Sequence, residues 1–455
     1  MTLSPLFCIP HVLLYNAGMR VPEFLSETHR DLLAIAAMNG KEVYENEITK
    51  LSNLKIFRNK THTPNVTIND IFRLYWEPFK KRFKHLLRDS IIKNVESMIA
   101  CRDLSKGYLF FECPNCPYYH LVGFSCKSRF CSSCGHKYRD ERSINIQSKL
   151  INVPHRHFVF SVPFDLRPFF WKCRALFDVL FKSVNEAFDR VIKKSRKDKK
   201  DDRRVGYVAF LHTSGRSLNM HPHLHVLLAE ATIDRFGSRK KQFYFPFEAL
   251  RKTFMYRFLD NANEAIRKTG DKKIYKDFNI LRNKITKEYK HGFYIHGPKL
   301  DGKTNQIKNA KETANYISRY ASHPPISEHN ILELNKDNHT ITWRYEPHES
   351  PGEVITITES VFSFIGKLIR HIPDNKTHVL RYYGFYANRA SNRLKLERKL
   401  VRVNVIRVLR RNLNWRKMIV STFKYNPLMC HCGGIMTLNI DLSYYGDYER
   451  RPGYV

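Results

Sequence analysis

Between Ile71 and Ile91 the apolar residues Tyr75, Phe79, Phe83, Leu87 and Ile91 recur every four positions, with Lys80, Lys81, Lys84 and Arg88 between them. That spacing predicts an amphipathic helix whose stripe enters a core, with Asn69 and Asp70 as caps and Pro78 in a first turn or at a break. Farther along the period shortens. His157-Phe158-Val159-Phe160-Ser161-Val162 reads as a buried strand, Ala175 to Ile192 as a helix, and Lys193 to Arg204 as a charged linker. Two short strands follow, Tyr207 to His212 and His223 to Leu228, flanking a Ser-Gly-Arg-Ser turn. Residues 230–290 read as mostly helical, Phe293 to His296 as a strand, and the next segment as a helix carrying Tyr316 and Tyr320. Beyond Pro324-Pro325 come further strands and helices, with a very basic helix near Leu394 to Lys417. The first 65 residues carry weak periodicity and no chemical motif, and no segment repeats another.

A chain of 455 residues is long enough for two or three domains, each with its own core. Charge narrows the partner: 78 Lys+Arg against 43 Asp+Glu leave +35, with a pI near 9.8. Such a surplus implies a polyanion, bound through counterion release and therefore with steep salt dependence. An anionic membrane is the competing partner. No run of about 18 apolar residues and no C-terminal lipidation box supports it. The apolar stretch Pro5 to Tyr15 is short and lacks a preceding basic region, so no cleaved leader is expected. The expectation is an intracellular nucleic-acid partner, with no membrane partner.

Six of the ten cysteines fall between Cys101 and Cys134, a clustering that fits metal binding better than a disulfide framework. Cys113-Pro-Asn-Cys116 and Cys131-Ser-Ser-Cys134 are two C-x2-C knuckles fourteen residues apart, the spacing of a zinc ribbon in which both knuckles share one tetrahedral Zn²⁺. Cys101, Cys126 and His120 are left for a second zinc, or for exchange into the first. Near the C-terminus, Cys430-His431-Cys432 is a weaker candidate, having two thiols only.

The run from Leu211 to Leu228 carries the chemistry. In a strand His223 and His225 project from one face while Leu224 and Val226 enter the core behind them. Two imidazoles so placed chelate a divalent cation. A third ligand is needed, and His212 on the preceding strand supplies it if it pairs beside His223 or His225. His221 shares the face, but the following Pro222 suggests a strand-entry role. Downstream, Tyr316-Ile-Ser-Arg-Tyr320 sets two phenols on one side of a helix. A phenol with a pKa near 10 needs a metal-polarised phosphate to act as a nucleophile. Spacing alone would equally suit core packing.

Taken in order, these stretches resemble the rolling-circle transposases of the IS91 family, which carry the HUH endonuclease fold. The resemblance rests on Cys126-Lys-Ser-Arg-Phe-Cys-Ser-Ser-Cys-Gly, on His212-Thr-Ser-Gly-Arg-Ser-Leu-Asn-Met-His-Pro-His-Leu-His, on Tyr316-Ile-Ser-Arg-Tyr320 with Pro324-Pro-Ile-Ser, and on Arg381-Tyr-Tyr-Gly-Phe-Tyr-Ala-Asn-Arg389. It covers roughly residues 68 to 435. It implies an α+β fold: a central antiparallel sheet flanked by helices, after a small zinc-binding domain and before a basic helical or mixed C-terminal region. The expected domains are an extension over 1–65 with no assigned role, a helix with the zinc-binding domain over 66–145, the nuclease domain over 146–330 with a helical insertion at about 230–290, and the basic region over 331–455. The resemblance also implies attack by Tyr316 or Tyr320 on single-stranded DNA at element ends. A 5′-phosphotyrosyl intermediate forms and conserves the bond energy, so no nucleotide cofactor is required. Arg381, Arg389, Arg407, Arg410 and Arg411 are candidate DNA contacts, and Tyr382, Tyr383 and Tyr386 candidate base-stacking rings or core. One departure stands out: the family's terminal C-x2-C is here Cys430-His-Cys432, one residue shorter. The competing readings are a replication initiator or relaxase with the same chemistry, a zinc-dependent DNA-binding protein without nuclease activity, and a carboxylate-based two-metal transposase, for which no acidic constellation is visible.

Overall fold

A computed structural model describes residues 66–128, 153–194, 203–234, 246–297, 325–347, 350–375, 377–387 and 426–445, with residues 130, 131, 134, 135, 141–143, 145, 146, 149–151, 239–241, 419 and 420 between them. The extension over 1–65 and the basic segment 394–417 lie outside the described residues.

Helix α1 (Ile68–Phe83) is opened by a capping box. The Thr67 hydroxyl accepts from the Asp70 N–H at 3.1 Å, and the Asp70 carboxylate accepts from the Thr67 N–H at 3.1 Å. Asp70 therefore acts from the first turn, and Thr67 is the cap. Pro78 lies inside the helix without ending it. The donor it lacks would have met the carbonyl of Leu74, whose side chain is exposed. A short 3₁₀ turn breaks the four-residue stripe at 84–86, and Ile91 belongs to a second helix, α2 (Asp89–Ile99). A hairpin follows, β1 (Tyr108–Glu112) and β2 (Tyr119–Gly123).

The central sheet begins with β3 (His155–Ser161), after which come α3 (Arg167–Lys172) and α4 (Leu176–Lys194). Strands β4 (Arg204–Ser214) and β5 (Met220–Ile233) form a long hairpin, with β6 (Arg239–Lys241) paired at its far end. Helices α5 (Phe247–Arg267) and α6 (Lys272–Glu288) precede the short β7 (Ile295–His296). A second sheet holds β8 (Ile331–Asn335), β9 (Thr340–Tyr345) and β10 (Ile355–Ser360), and α7 (Val361–Ile369) follows it directly. The chain then adds β11 (Leu380–Gly384) to the central sheet and β12 (Thr437–Tyr444) to the β1–β2 hairpin. All pairings are antiparallel, and the central order is β11-β4-β5-β3-β7. The fold is α+β.

The basic C-terminal region, expected as a unit over 331–455, is divided in the structure. Its strands β8–β10 and helix α7 pack on α1 and α2, β11 edges the central sheet, and β12 completes the zinc hairpin. The segment at 230–290, expected as an insertion, is equally integral. Phe254, Phe258 and Ile266 of α5 meet Phe158, Phe160 and Phe188 in one core on the helical side of the central sheet. Each of those fully buried phenylalanines contributes about 1.5–3 kcal/mol. The opposite face of the sheet is different at its two ends. Val208, Phe210, Leu227 and Ala229 are covered by Ile146, Leu150, Phe385 and Tyr386, while the other end carries histidines. Among the described residues no helix is long and apolar enough to cross a membrane.

Candidate metal centre

Antiparallel register sets His212 directly opposite His223 and His225 opposite Phe210, so the three imidazoles share one face. Leu211, Leu224 and Val226 point the other way, into the helical core, as the period of two requires. Register slips between His212 and Ser214, leaving one extra residue on β5 at His221-Pro222. Pro222 has no N–H to give to the ladder, and a bulge is where a strand tolerates that. The turn beyond is tight. A Cβ on Gly215 would lie 2.0 Å from Asn219 Oδ1, and Leu218 takes φ +58° to close the loop.

The ligand nitrogens of His212, His223 and His225 all lie within 4.8 Å of one another. His223 Nδ1 is 2.7 Å from the carbonyl oxygen of His221. A carbonyl only accepts, so that nitrogen carries the proton and Nε2 keeps its lone pair. His223 Nε2 sits 3.1 Å from His225 Nε2. Two neighbouring ligands about 2.1 Å from an octahedral divalent ion are about 3.0 Å apart, which is the separation of these two nitrogens. Burial removes water from these rings and disfavours their charged form. His223 is pushed down to about 4 by desolvation and then by the Arg167 charge. His221 also falls to about 4, through desolvation, His223 and Arg167. His225 lies well below its ordinary value, through desolvation and the neighbouring histidines. At neutral pH His223 and His225 are therefore uncharged and able to donate lone pairs.

A fourth histidine, itself buried, was not anticipated as part of this site. His157 on β3 lies with its Nε2 2.8 Å from His225 Nδ1. Its pKa is pushed down to about 4 by desolvation and by His296 and His223. The signal was present in the sequence: His155-Arg-His157 repeats the H-x-H spacing of His223-Leu-His225, but its apolar continuation reads as a core strand.

The cysteines are partitioned differently from the ribbon expected above. Cys113 and Cys116 do not share a site with Cys131 and Cys134. One group is Cys101, Cys126, Cys131 and Cys134, and the other is Cys113, Cys116, Cys430 and Cys432. The reason is the hairpin. Cys113 and Cys116 lie at its tip, where the Cys113 N–H donates to the Tyr118 carbonyl at 2.9 Å. Strand β2 then carries the chain back for five residues, about 16 Å, to Gly123. There the Arg102 N–H bonds to the Phe124 carbonyl at 2.9 Å, which brings Cys126 beside Cys101. Most of the fourteen residues between the knuckles are spent on this return. His120 points from the middle of β2, opposite Phe111, and belongs to neither group.

Sulfur separations test the fit to zinc. In the first group Cys101–Cys134, Cys126–Cys134 and Cys131–Cys101 are 3.5, 3.6 and 3.8 Å apart. In the second Cys113–Cys432 and Cys116–Cys430 are 3.5 and 3.6 Å apart. Four thiolates about 2.3 Å from a tetrahedral Zn²⁺ stand about 3.8 Å apart, whereas a disulfide requires about 2.05 Å. Both groups suit zinc. The shorter Cys430-His-Cys432 knuckle works because two glycines follow it. Gly433 takes φ +85°, and a Cβ on Gly434 would approach Cys113 Sγ to 3.0 Å. Cys113 is drawn down to about 7, first by the backbone N–H of Asn115, which favours its thiolate.

Other candidates make contacts within the fold. Arg381 pairs with Asp178, and its guanidinium lies 4.1 Å above the Phe181 ring. Tyr383 stacks on Tyr207. Tyr386 is fully buried, bonded to His155 Nε2 at 2.8 Å and receiving the Ile151 N–H at 3.1 Å. Tyr382 packs on the core beside it. Tyr316, Tyr320, Arg389, Arg407, Arg410 and Arg411 lie outside the described residues.

A histidine-lined metal centre on an antiparallel sheet, together with a module of two four-cysteine zinc sites, defines the class of protein, and comparisons with known proteins agree with it. A family model described as "Putative transposase" matches residues 206–393, and one described as "Transposase zinc-binding domain" matches residues 71–162. The transposase for insertion sequence element IS801 of Pseudomonas savastanoi pv. phaseolicola is 31% identical over 311 residues, covering 67% of this chain and 72% of that protein. "Putative transposase y4qJ" of Sinorhizobium fredii is 24% identical over 334 residues, covering 71% of this chain and 80% of that protein. No solved structure matches. The chain belongs to the IS91 family of rolling-circle transposases, with an N-terminal zinc-binding domain and an HUH-type catalytic domain.

Proposed function

We propose that the protein cleaves and rejoins single-stranded DNA at the ends of its own mobile element. The observation that carries this reading is the His212–His223–His225 cluster, held on one sheet face, with His223 and His225 kept neutral by desolvation. Mg²⁺ or Mn²⁺ held there would polarise the scissile phosphate. Tyr316 or Tyr320 is the nucleophile. Its phenol oxygen forms a bond to phosphorus as the bond to the 3′-oxygen breaks, the phenolic proton is given up, and the leaving oxygen gains one. A 5′-phosphotyrosyl chain and a free 3′-hydroxyl result, and the reverse step rejoins DNA without a nucleotide cofactor. The second tyrosine accepts the other strand. The surplus of positive charge, with Arg389, Arg407, Arg410 and Arg411 contributing, holds the strand through its phosphates. The zinc sites shape and hold the module beside the nuclease sheet; no chemistry is assigned to them.

The test uses labelled single-stranded DNA from the element's end, Mn²⁺ and the full chain. A protein–DNA adduct that survives denaturation is expected, absent in His223→Ala. Loss of the adduct in Tyr316→Phe but not Tyr320→Phe assigns the first attack to Tyr316. An undiminished adduct in His223→Ala overturns the metal assignment.

A further inference from the structure

We propose that His157 is a positioning residue for the metal centre: it accepts the Nδ1 proton of His225 and so keeps the Nε2 lone pair of His225 turned toward the ion. This rests on the reading that His212, His223 and His225 hold the cation.

The geometry is that of an in-plane hydrogen bond. His157 Nε2 and His225 Nδ1 are 2.8 Å apart, the ring centroids 5.1 Å apart and the planes only 8° from parallel. Coplanar imidazoles joined nitrogen to nitrogen have that centroid spacing; rings stacked face to face do not. Both side chains are buried, His157 being 9% and His225 6% exposed. The bond is therefore a fixed part of the site. The other nitrogen of His225 faces His223 Nε2 at 3.1 Å, on the metal side.

A neutral imidazole has one proton to place. On Nδ1 of His225 it is donated to His157, and Nε2 is free to ligate. On Nε2 it points where the ion must sit, and His225 is lost as a ligand. For His223 the choice is made by a backbone carbonyl, which only accepts. For His225 it is made by a side chain whose Nε2 accepts only when its own proton is elsewhere. His157 thus stands to His225 as the His221 carbonyl stands to His223, but through a group that mutation can change. Partners of this kind typically alter metal affinity by about 10–100-fold when removed.

The experiment is Mn²⁺ binding by the purified, zinc-loaded full chain, followed by electron paramagnetic resonance, for wild type, His157→Phe and His157→Gln. A glutamine carbonyl accepts the His225 proton; a phenyl ring does not. The expected result is about 10–100-fold weaker binding in His157→Phe and recovery to within about threefold of wild type in His157→Gln. Equal affinity in wild type and His157→Phe overturns the proposal, and so does a His157→Gln as weak as His157→Phe, which would mark a packing role. If the wild type fails to bind Mn²⁺, or His223→Ala binds as well as wild type, the underlying metal assignment fails instead. A measurement without variants guards against misfolding. With ¹⁵N-labelled histidine and saturating Mg²⁺, nuclear magnetic resonance of the wild-type chain should show His225 protonated on Nδ1 and His157 unprotonated on Nε2. The opposite pair of tautomers overturns the proposal.

Discussion

The zinc partition predicts that the C-terminal strand is held to the hairpin by metal. The perturbation is Cys430→Ser with Cys432→Ser, which removes two of the four thiolates around the second site and touches none of the first. Strand β12 has eight residues, and ordering them costs about 8–16 kcal/mol of backbone entropy. The apolar contacts that Met436, Leu438, Leu442 and Tyr444 make with the hairpin offset this by at most about 6–12 kcal/mol, the value for four fully buried side chains, of which only Met436 is one. The strand is close to indifferent on its own, while a structural zinc site supplies about 10–16 kcal/mol. Metal analysis of the purified variant should therefore find one zinc per chain where the wild type has two. Hydrogen exchange should show the amides of 437–444 fully unprotected and those of β3–β5 unchanged. The reasoning is refuted if the double variant keeps two zincs, or if Cys113→Ser and Cys131→Ser each remove the same single zinc, as a shared ribbon would require.

Three further outcomes follow from buried polar groups and close backbone approaches. Glu230→Ala removes the carboxylate that lies 2.7 Å from the Arg156 guanidinium and is buried with it; a loss of about 3–5 kcal/mol should appear as a lowered denaturation midpoint, much reduced when Arg156→Leu is added. Tyr386→Phe removes a hydroxyl bonded to His155 and to the Ile151 N–H, and chemical denaturation should register about 1–3 kcal/mol. Gly384→Ala places a methyl 1.6 Å from the Val205 carbonyl oxygen at φ +59°; the β11–β4 pairing must open there, and exchange of the β11 amides should rise while zinc content stays at the wild-type value.

How much was legible in the sequence varied with the distance over which the information acts. The histidine ribbon was legible because a period of two is local, and the opposition of His212 to His223 needs only the hairpin between them. The helix from Ile68 was legible too, although its cap is Thr67 and its stripe continues into a second helix after a 3₁₀ turn. The zinc partition was not. Cys113 and Cys430 meet only because β12, which follows the whole central sheet in the chain, pairs back onto β1, and no local spacing encodes that return. His157 was hidden for a related reason. Its partner, His225, lies on another strand, and the alternation around it reads as core. The distribution of residues beyond 331 over three sheets is likewise a matter of strand pairing, which composition and charge do not register.

The central claim is that a tyrosine of this chain attacks DNA beside a histidine-bound cation. Its most direct measurement is mass spectrometry of the denatured, nuclease-trimmed adduct formed with single-stranded element-end DNA and Mn²⁺. The account predicts a nucleotide joined through its 5′-phosphate to Tyr316 or Tyr320, and no such peptide without divalent metal or in His225→Ala. A phosphate found on any other residue, or an adduct of undiminished yield in His225→Ala, would contradict it.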